Sequence, residues 1–519
     1  MKSKYIWLII ILGLLLYSRA LFNGFVWDDE EQIVNNAAVH TLASIPSFFS
    51  GSTFNEGGTG RLGGVYYRPV MMIVFAVLYS VSGAGAFVFH LFQILIHIAS
   101  CVLLYLIFRR FFKEGTAALL SLVYLVHPVN VESVAYIAAI QDAVYVFFIL
   151  LCFYCYLTRK PGRLTTGIIA ASVMIAMLSK EVAVVFITVF LTYLFALRDK
   201  RRFLYAGVSA AAVCAYLVLR FAVAQVFFTP FHFAPIVNTT LWQRMLMAPA
   251  IFFSYMGMIV WPQKLSVMQH WIIRDVTVFT FYLPAAAILA AVVGAVYIYI
   301  KTKSSTFLLF VLWFTFGIAP YMQLFPLDMT VAERWLYFPF IGLLGTAGFL
   351  IESAGKRVPR RAGLAIGVLI LVLLSVRTFV RIGDWRDSYT LFTHDVRLSP
   401  GAFDLENNVG VALFRQGDIT GARRHFLESG RLAPGWWVNW NNVGATYQRT
   451  HDYENALKYY KRSLKNGDYY LAYENYASTL IILKRYPEAR SFLTSRAMRI
   501  FPYNQNLRDL YTYLETVNK

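Results

Sequence analysis

The sequence predicts an all-α membrane protein that ends in a short helical repeat array. Three observations carry that prediction. The 519 residues are 58% hydrophobic and only 14% charged, whereas soluble chains carry about a quarter charged residues. Apolar runs of about 20 residues, long enough to cross a bilayer core, follow one another through residues 5–380. After about Arg381 the composition turns polar, and matching residues recur every 34 positions. Disorder is excluded by the hydrophobicity. Cys101, Cys152, Cys155 and Cys214 are too few, and too apolar in setting, for a disulfide scaffold. The chain divides into a membrane domain, 1–380, and a water-facing domain, 381–519.

The net charge of +19 would suggest nucleic acid in a soluble chain. Here it is first a topology signal, because cytoplasmic loops collect Lys and Arg. The run Tyr5–Phe22 follows Lys2 and Lys4 and reads as an uncleaved anchor, since Arg19 fits poorly before a signal-peptidase site. Five basic clusters then stand between apolar runs: Arg109/Arg110/Lys113, Arg159/Lys160/Arg163, Arg198/Lys200/Arg201/Arg202, Lys301/Lys303 and Lys356/Arg357/Arg360/Arg361. The positive-inside rule puts all five in the cytoplasm with the N-terminus. Between consecutive clusters the chain must leave and return. Residues 86–109 run inward, 115–128 and 132–157 form a pair, as do 164–180 and 182–198, 203–225 and 278–300, and 306–323 and 332–352; residues 362–380 exit. With the first helix this gives about eleven crossings. Segments 69–83 and 243–261 fit only as in-plane or re-entrant helices on the outer side. The outer regions are 23–85, 226–277 and everything after about 381.

In the tail Gly410 and Gly444, Ala422 and Ala456, Phe426 and Tyr460, Leu413 and Tyr447, and Pro434 and Asp468 are each 34 apart. Ala489 and Pro502 continue a degenerate third unit. Trp440, Gly444, Tyr447, Ala456 and Tyr460 resemble the tetratricopeptide pattern, which implies a TPR α-solenoid of about three repeats, the usual minimum for stability. Such an array offers a concave surface to polypeptides. Trp436, Trp437 and Trp440 are candidates to line it, with helix packing as the competing role.

Ionisable groups near a membrane are costly and point to function. Asp28, Asp29 and Glu30 lie just outside the first helix. A carboxylate there suits a general base, or holds a divalent cation with its neighbour. Repulsion between adjacent carboxylates raises one of them. His127-Pro128-Val129-Asn130-Val131-Glu132 sits at an outer turn, with Asp142 down the next helix; a catalytic role competes there with a capping turn. Lys180-Glu181, Glu333-Arg334 and Arg68 interrupt apolar sequence on the same side. Their cations suit a lipid phosphate, with interfacial anchoring or internal pairing as the alternative. Cys152 and Cys155 read as packing despite their CxxC spacing, and His90 and His97 as core histidines.

Together these segments resemble one family. Asn23-Gly24-Phe25-Val26-Trp27-Asp28-Asp29, Tyr67-Arg68-Pro69, His127-Pro128-Val129 with Glu132-Ser133-Val134-Ala135 and Asp142, Lys180-Glu181, and Ala332-Glu333-Arg334-Trp335-Leu336-Tyr337 with Pro339 resemble, in order, the transmembrane-and-tetratricopeptide-repeat glycosyltransferases. That family is similar to the membrane glycosyltransferases of GT-C fold. The resemblance implies an inverting transfer of a sugar from a polyprenyl-phosphate donor to an acceptor hydroxyl, Ser or Thr of a protein in the eukaryotic relatives, on the extracytoplasmic face. It implies a base at Asp28 or Asp29 and donor-phosphate contacts at Lys180, Arg334 and Arg68. It implies sugar or acceptor contacts at His127, Glu132, Asp142, Glu333 and Glu181. The expected partners are the polyprenyl-phosphate sugar, a protein acceptor docked on the TPR groove and membrane lipid, with no nucleic acid. The lipid-linked sugar donor is a substrate rather than a cofactor, and a divalent metal is an option. The short repeat array is more typical of the family's prokaryotic members, and the few basic loops suit a bacterial or archaeal plasma membrane. A glycan or lipid glycosyltransferase whose repeats bind a partner, and a non-enzymatic scaffold, are the rival readings. A transporter is disfavoured, since its ionisable groups would sit at the midplane with internal symmetry.

Overall fold

The computed structural model describes residues 4–55, 62–63, 65–227, 234–355 and 359–517. The glycine-rich stretch Gly51–Gly64 and the basic cluster at Lys356 and Arg357 therefore fall partly outside the described residues. Helices dominate. Among the described residues the strands are a two-residue antiparallel pair, Phe54–Asn55 with Leu62–Gly63, and one isolated bridge between Gln269 and Val331.

Among the described residues seven helices are long and apolar enough to cross a membrane: Lys4–Phe22, Ala86–Phe108, Ile137–Thr158, Arg202–Val223, Leu241–Val260, Val278–Thr302 and Arg361–Asp384. Glu114–Val126 and Pro128–Ala135, bent by 52°, would make an eighth. Length alone thus supports fewer crossings than the eleven expected. The difference lies in the shorter helices. Arg163–Ser179, Ala183–Ala196, Ser305–Tyr321 and Pro339–Ala354 are apolar but only 14 to 17 residues long, and 14 residues rise only about 21 Å. Each of the first three stops short on one side, at 179–183 or 321–332, and the fourth begins late, at 339. Irregular backbone at membrane depth is tolerated where protein buries it or where it lines a cavity, and these stretches do line one, as described below.

Close helix contact is built by small residues. A Cβ on Gly342 would sit 2.3 Å from Phe314 N, and one on Gly345 would sit 2.1 Å from the Phe310 ring. The helices Ser305–Ile318 and Pro339–Ala354 could not approach so closely with larger residues there. The basic ends of several helices gather at one end of the bundle. Lys113 N donates to Glu352 (2.7 Å), and Tyr156 Oη donates to Asp199 (2.8 Å). Cys152 and Cys155 are buried and unbridged within the core. His97 Nδ1 lies 2.7 Å from Tyr337 Oη, a satisfied core histidine.

Leu241–Val260, expected in-plane or re-entrant, is one 20-residue helix with the length and apolarity of a span. Arg244 Nη2 reaches Leu324 O (3.4 Å), and the Ile259 carbonyl meets His127 Nε2 (2.8 Å).

After Asp384 the tail folds as antiparallel helix pairs. Phe403–Gln416 with Ile419–Leu432 and Trp437–Arg449 with Tyr453–Asn466 begin 34 residues apart; Tyr470–Ile482 with Tyr486–Phe492 follows. The period has a steric basis. A Cβ on Gly410 would lie 2.6 Å from the Phe426 ring, and one on Gly444 would lie 2.5 Å from the Tyr460 ring. Trp440 packs rather than lining a groove: its indole donates to Pro434 O (2.8 Å), and Arg462 covers its ring at 3.4 Å. Trp436 stands edge-on to Phe403.

The tail is anchored by Arg381, which is fully buried. It pairs with Glu333 (3.0 Å), Asp395 (2.9 Å) and Asp384 (3.4 Å). Arg415 pairs with Glu30 (2.5 Å), and His270 with Asp404 (2.6 Å).

Candidate active site

A cavity of about 380 Å³ opens where the short helices stop. Its walls come from five separated segments: Trp27-Asp28, Val65 to Arg68, Tyr136 to Gln141, Lys180 to Val182, and Tyr321 to Trp335.

The first segment is held against the end of the last membrane helix. Asn23 Nδ2 donates to Ile382 O (3.2 Å), and Gly24 N donates to Arg386 O (3.0 Å). The chain then turns at Trp27, which adopts a left-handed φ of 57°. A side-chain-bearing residue there carries strain, and such strain is concentrated at functional sites. Trp27 stacks on Tyr136 at 5.2 Å, and Tyr136 stacks in turn on Trp385 at 5.4 Å. This turn separates the two adjacent aspartates. Asp28 faces the cavity and accepts a hydrogen bond from Tyr136 Oη (2.8 Å). Asp29 points away: its carboxylate accepts from Val26 N (2.9 Å) and Ala138 N (2.6 Å) and closes the turn. Burial pushes the Asp28 carboxyl up to about 6, opposed by the Tyr136 hydroxyl and by Arg334. A base with that value is half-ionised just below neutrality, a suitable range for proton abstraction.

Three cations share the cavity, each backed by a carboxylate. Arg68 holds Glu181 through Nε (3.1 Å) and Nη2 (2.8 Å), and its guanidinium lies 4.2 Å from the Tyr66 ring centre. Burial alone would raise Glu181, but the Arg68 fork outweighs it and holds the carboxyl down at about 2. Lys180 Nζ contacts Asp142 at 2.5 Å. Arg334 donates its backbone N–H to Glu132 (2.8 Å), and its guanidinium pairs with the same carboxylate. The internal pairing foreseen between neighbours Lys180 and Glu181 is therefore crossed between segments. A guanidinium has five N–H donors in a fixed fork, so each arginine keeps donors beyond those its carboxylate takes.

The sequence-derived residues separate by position. Asp28, Arg68, Lys180, Glu181 and Arg334 line the cavity. Glu132 and Asp142 are fully buried behind it, orienting Arg334 and Lys180. Glu333 faces Arg381 at the tail anchor. His127 caps the following turn, accepting from Val129 N (3.2 Å), and bonds Ile259 O on its other nitrogen. Sequence reading missed Tyr136, Tyr66 and Asp328 in the wall. Asp328 had a signal, being the one carboxylate between Asp275 and Glu333; the tyrosines, among 33, had none. Among the described residues no three His, Cys, Asp or Glu side chains converge as metal ligands.

Comparison with known proteins bears on this geometry. Residues 68–227 match the family profile described as dolichyl-phosphate-mannose-protein mannosyltransferase. The chain is 24% identical over 473 residues to the protein O-mannosyl-transferase TMTC3 of Homo sapiens, covering 80% of this chain and 50% of that protein. It is 22% identical over 442 residues to the protein O-mannosyl-transferase F38B6.6 of Caenorhabditis elegans, covering 81% and 61%. Over a shorter stretch of 203 residues it is 30% identical to human TMTC1, covering 36% and 23%. The chain spans about half the length of the first of these relatives. Among solved structures, ArnT from Cupriavidus metallidurans bound to undecaprenyl phosphate matches with a TM-score of 0.41 and 14% identity, over 89% of this chain and 80% of that one. The archaeal oligosaccharyltransferase AglB from Archaeoglobus fulgidus matches with a TM-score of 0.45 and 11% identity, over 79% and 60%. The resemblance carried by the motifs thus extends across most of the sequence, and the chain is similar over about four-fifths of its length to TMTC protein O-mannosyl-transferases.

Proposed function

We propose that the cavity transfers a sugar from a polyprenyl-phosphate donor to an acceptor hydroxyl, as an inverting glycosyltransferase of GT-C type. The observation that carries this reading is the meeting, in one cavity, of a raised carboxylate, Asp28, with Arg68, Lys180 and Arg334. The match to a dolichyl-phosphate-mannose-protein mannosyltransferase profile and the protein O-mannosyl-transferase relatives support the donor class and a Ser or Thr acceptor on protein.

The step follows from the charges. Asp28 takes the proton of the acceptor hydroxyl. The acceptor oxygen forms its bond to the anomeric carbon as the bond from that carbon to the phosphate oxygen breaks. The electron pair leaves with the phosphate, which gains one negative charge. Cations already fixed in place stabilise that charge without reorganising. Glu132, Asp142 and Glu181 hold the three cations, so their part is positioning.

The reading extends to topology. The short helices pair across the membrane in the eleven-crossing arrangement, with the helices at 69–83 and 243–261 lying along the outer face, and the cavity opens to the extracytoplasmic side. Residues 381–519 form a tetratricopeptide solenoid on that side, beside the cavity mouth, where it presents the acceptor polypeptide. The Glu30–Arg415 pair supports that placement, since it ties the solenoid to the turn that carries Asp28.

The test is transfer itself. Purified chain in nanodiscs is given dolichyl-phosphate-mannose and a Ser/Thr-rich peptide, and the peptide is read by mass spectrometry. Hexose on a hydroxyl, with inverted anomeric configuration, is the expected result. Intact donor and unmodified peptide under conditions where the chain stays folded would overturn the reading.

A further inference from the structure

The cavity holds a second carboxylate, and its surroundings are unusual. Asp328 lines the cavity with Asp28, yet it makes no hydrogen bond or ion pair to any described residue. Every other charged group in the wall has a partner: Asp28 has Tyr136, and Glu181, Lys180 and Arg334 have the partners described above. Asp328 is part-buried and close enough to Arg334 and Asp28 to act on both through its charge, while its carboxylate oxygens stay open to a donor on a ligand in the cavity.

The backbone around Asp328 is nonetheless held with care. Gln323 is fully buried and clamps both sides of it. Its Nε2 donates to Met329 O (2.7 Å) and Thr330 O (2.9 Å), and its Oε1 accepts from Leu327 N (3.0 Å). Thr330 is fixed from outside as well, its N–H donating to Gln269 O and its hydroxyl to Trp271 O (2.9 Å each). Gln323 itself sits at φ 59°, in the left-handed region. A strained buried residue spending its whole side chain on a loop that carries one free carboxylate is the pattern of a preorganised contact.

We propose that Asp328 is a specificity-determining residue that accepts hydrogen bonds from hydroxyls of the sugar being transferred, across the cavity from Asp28, with Gln323 as its positioning residue. This rests on the cavity being the glycosyl-transfer site. The chemistry is selective: a carboxylate accepts but cannot donate, so it favours the hydroxyl-rich sugar over the bare lipid phosphate, whose charge it repels. A ligand hydroxyl bonded to a charged group is worth about 1.5–3 kcal/mol, which is roughly 10- to 150-fold in affinity.

The experiment measures the affinities of wild type, Asp328→Asn, Gln323→Ala and the double variant for two probes, dolichyl-phosphate-mannose and dolichyl phosphate, with thermal melting as the check on folding. Asp328→Asn should weaken the sugar-bearing lipid at least about tenfold and leave the bare phosphate unchanged or tighter. Gln323→Ala should show the same selective loss, and the double variant little more, because both act on one contact. Equal loss for both lipids, or none for either, in folded Asp328→Asn protein would overturn the assignment of Asp328 alone. Wild type that binds neither lipid would overturn it together with the reading of the cavity.

Discussion

Adjacent aspartates one residue apart are expected to fail in opposite ways. Asp28→Asn replaces the cavity-facing carboxylate but keeps an oxygen to accept the Tyr136 hydroxyl, which now stands 2.8 Å away. Folding should be nearly unaffected. The base is lost, and general-base catalysis contributes about 10²–10⁴ in rate, equivalent to about 3–5.5 kcal/mol of barrier. Asp29→Asn is the converse. The Asp29 carboxylate accepts the Val26 N–H on one oxygen and the Ala138 N–H on the other. Asparagine keeps one acceptor and turns an NH2 group toward the second N–H. A hydrogen bond to a charged group is worth about 1.5–3 kcal/mol, so the loss should appear as a lowered melting temperature. Transfer and melting are measured on the same preparations. The expected pattern is Asp28→Asn folded and inactive, Asp29→Asn destabilised with transfer persisting below its melting point. Full transfer by Asp28→Asn, or unaltered stability in Asp29→Asn, would refute the division of roles.

Other perturbations read other parts of the structure. Tyr136→Phe removes a hydroxyl that lowers Asp28, so the carboxyl should rise above about 6. Because the base works ionised, the acid limb of the transfer–pH profile should move to higher pH, with activity near pH 6 falling more than activity near pH 8. Arg381→Met leaves Glu333 and Asp395 buried without their cation. Breaking a buried pair this way costs about 3–5 kcal/mol, and thermal melting together with protease sensitivity after residue 384 should report it. Gly444→Ala places a methyl 2.5 Å from the Tyr460 ring. Overpacking of this kind costs about 1–3 kcal/mol and should loosen the tail in limited proteolysis while leaving donor binding in the membrane region intact.

How far the sequence could be read depended on whether a feature is local. Apolar runs and 34-residue spacing are local, so the helical bundle and the tail's paired helices were legible. Charge in a charge-poor chain is also conspicuous, and Asp28, Arg68, Lys180, Glu181 and Arg334 stand out for that reason. The division between Asp28 and Asp29 was not legible. It depends on the left-handed turn at Trp27 and on an Ala138 N–H that lies 109 residues away. Nor could spacing pair Lys180 with Asp142 rather than with its neighbour Glu181. Asp328 was conspicuous as the one carboxylate between Asp275 and Glu333, but only the folded wall places it in the cavity beside Asp28. The count of crossings differed as well: among the described residues seven helices, or eight with the bent pair, have the length and apolarity of a span, against about eleven expected.

The most direct test of the central assignment is to place a donor phosphate and ask what it touches. A dolichyl phosphate analogue with a photoreactive group beside the phosphate is cross-linked to the purified chain, and the labelled peptides are sequenced with and without excess dolichyl phosphate. Labelling that the competitor abolishes, on peptides containing residues 65–68, 180–182 or 327–335, is the expected result. Competitor-resistant labelling, or labelling confined to other parts of the chain, would contradict the assignment of this cavity to a polyprenyl-phosphate donor.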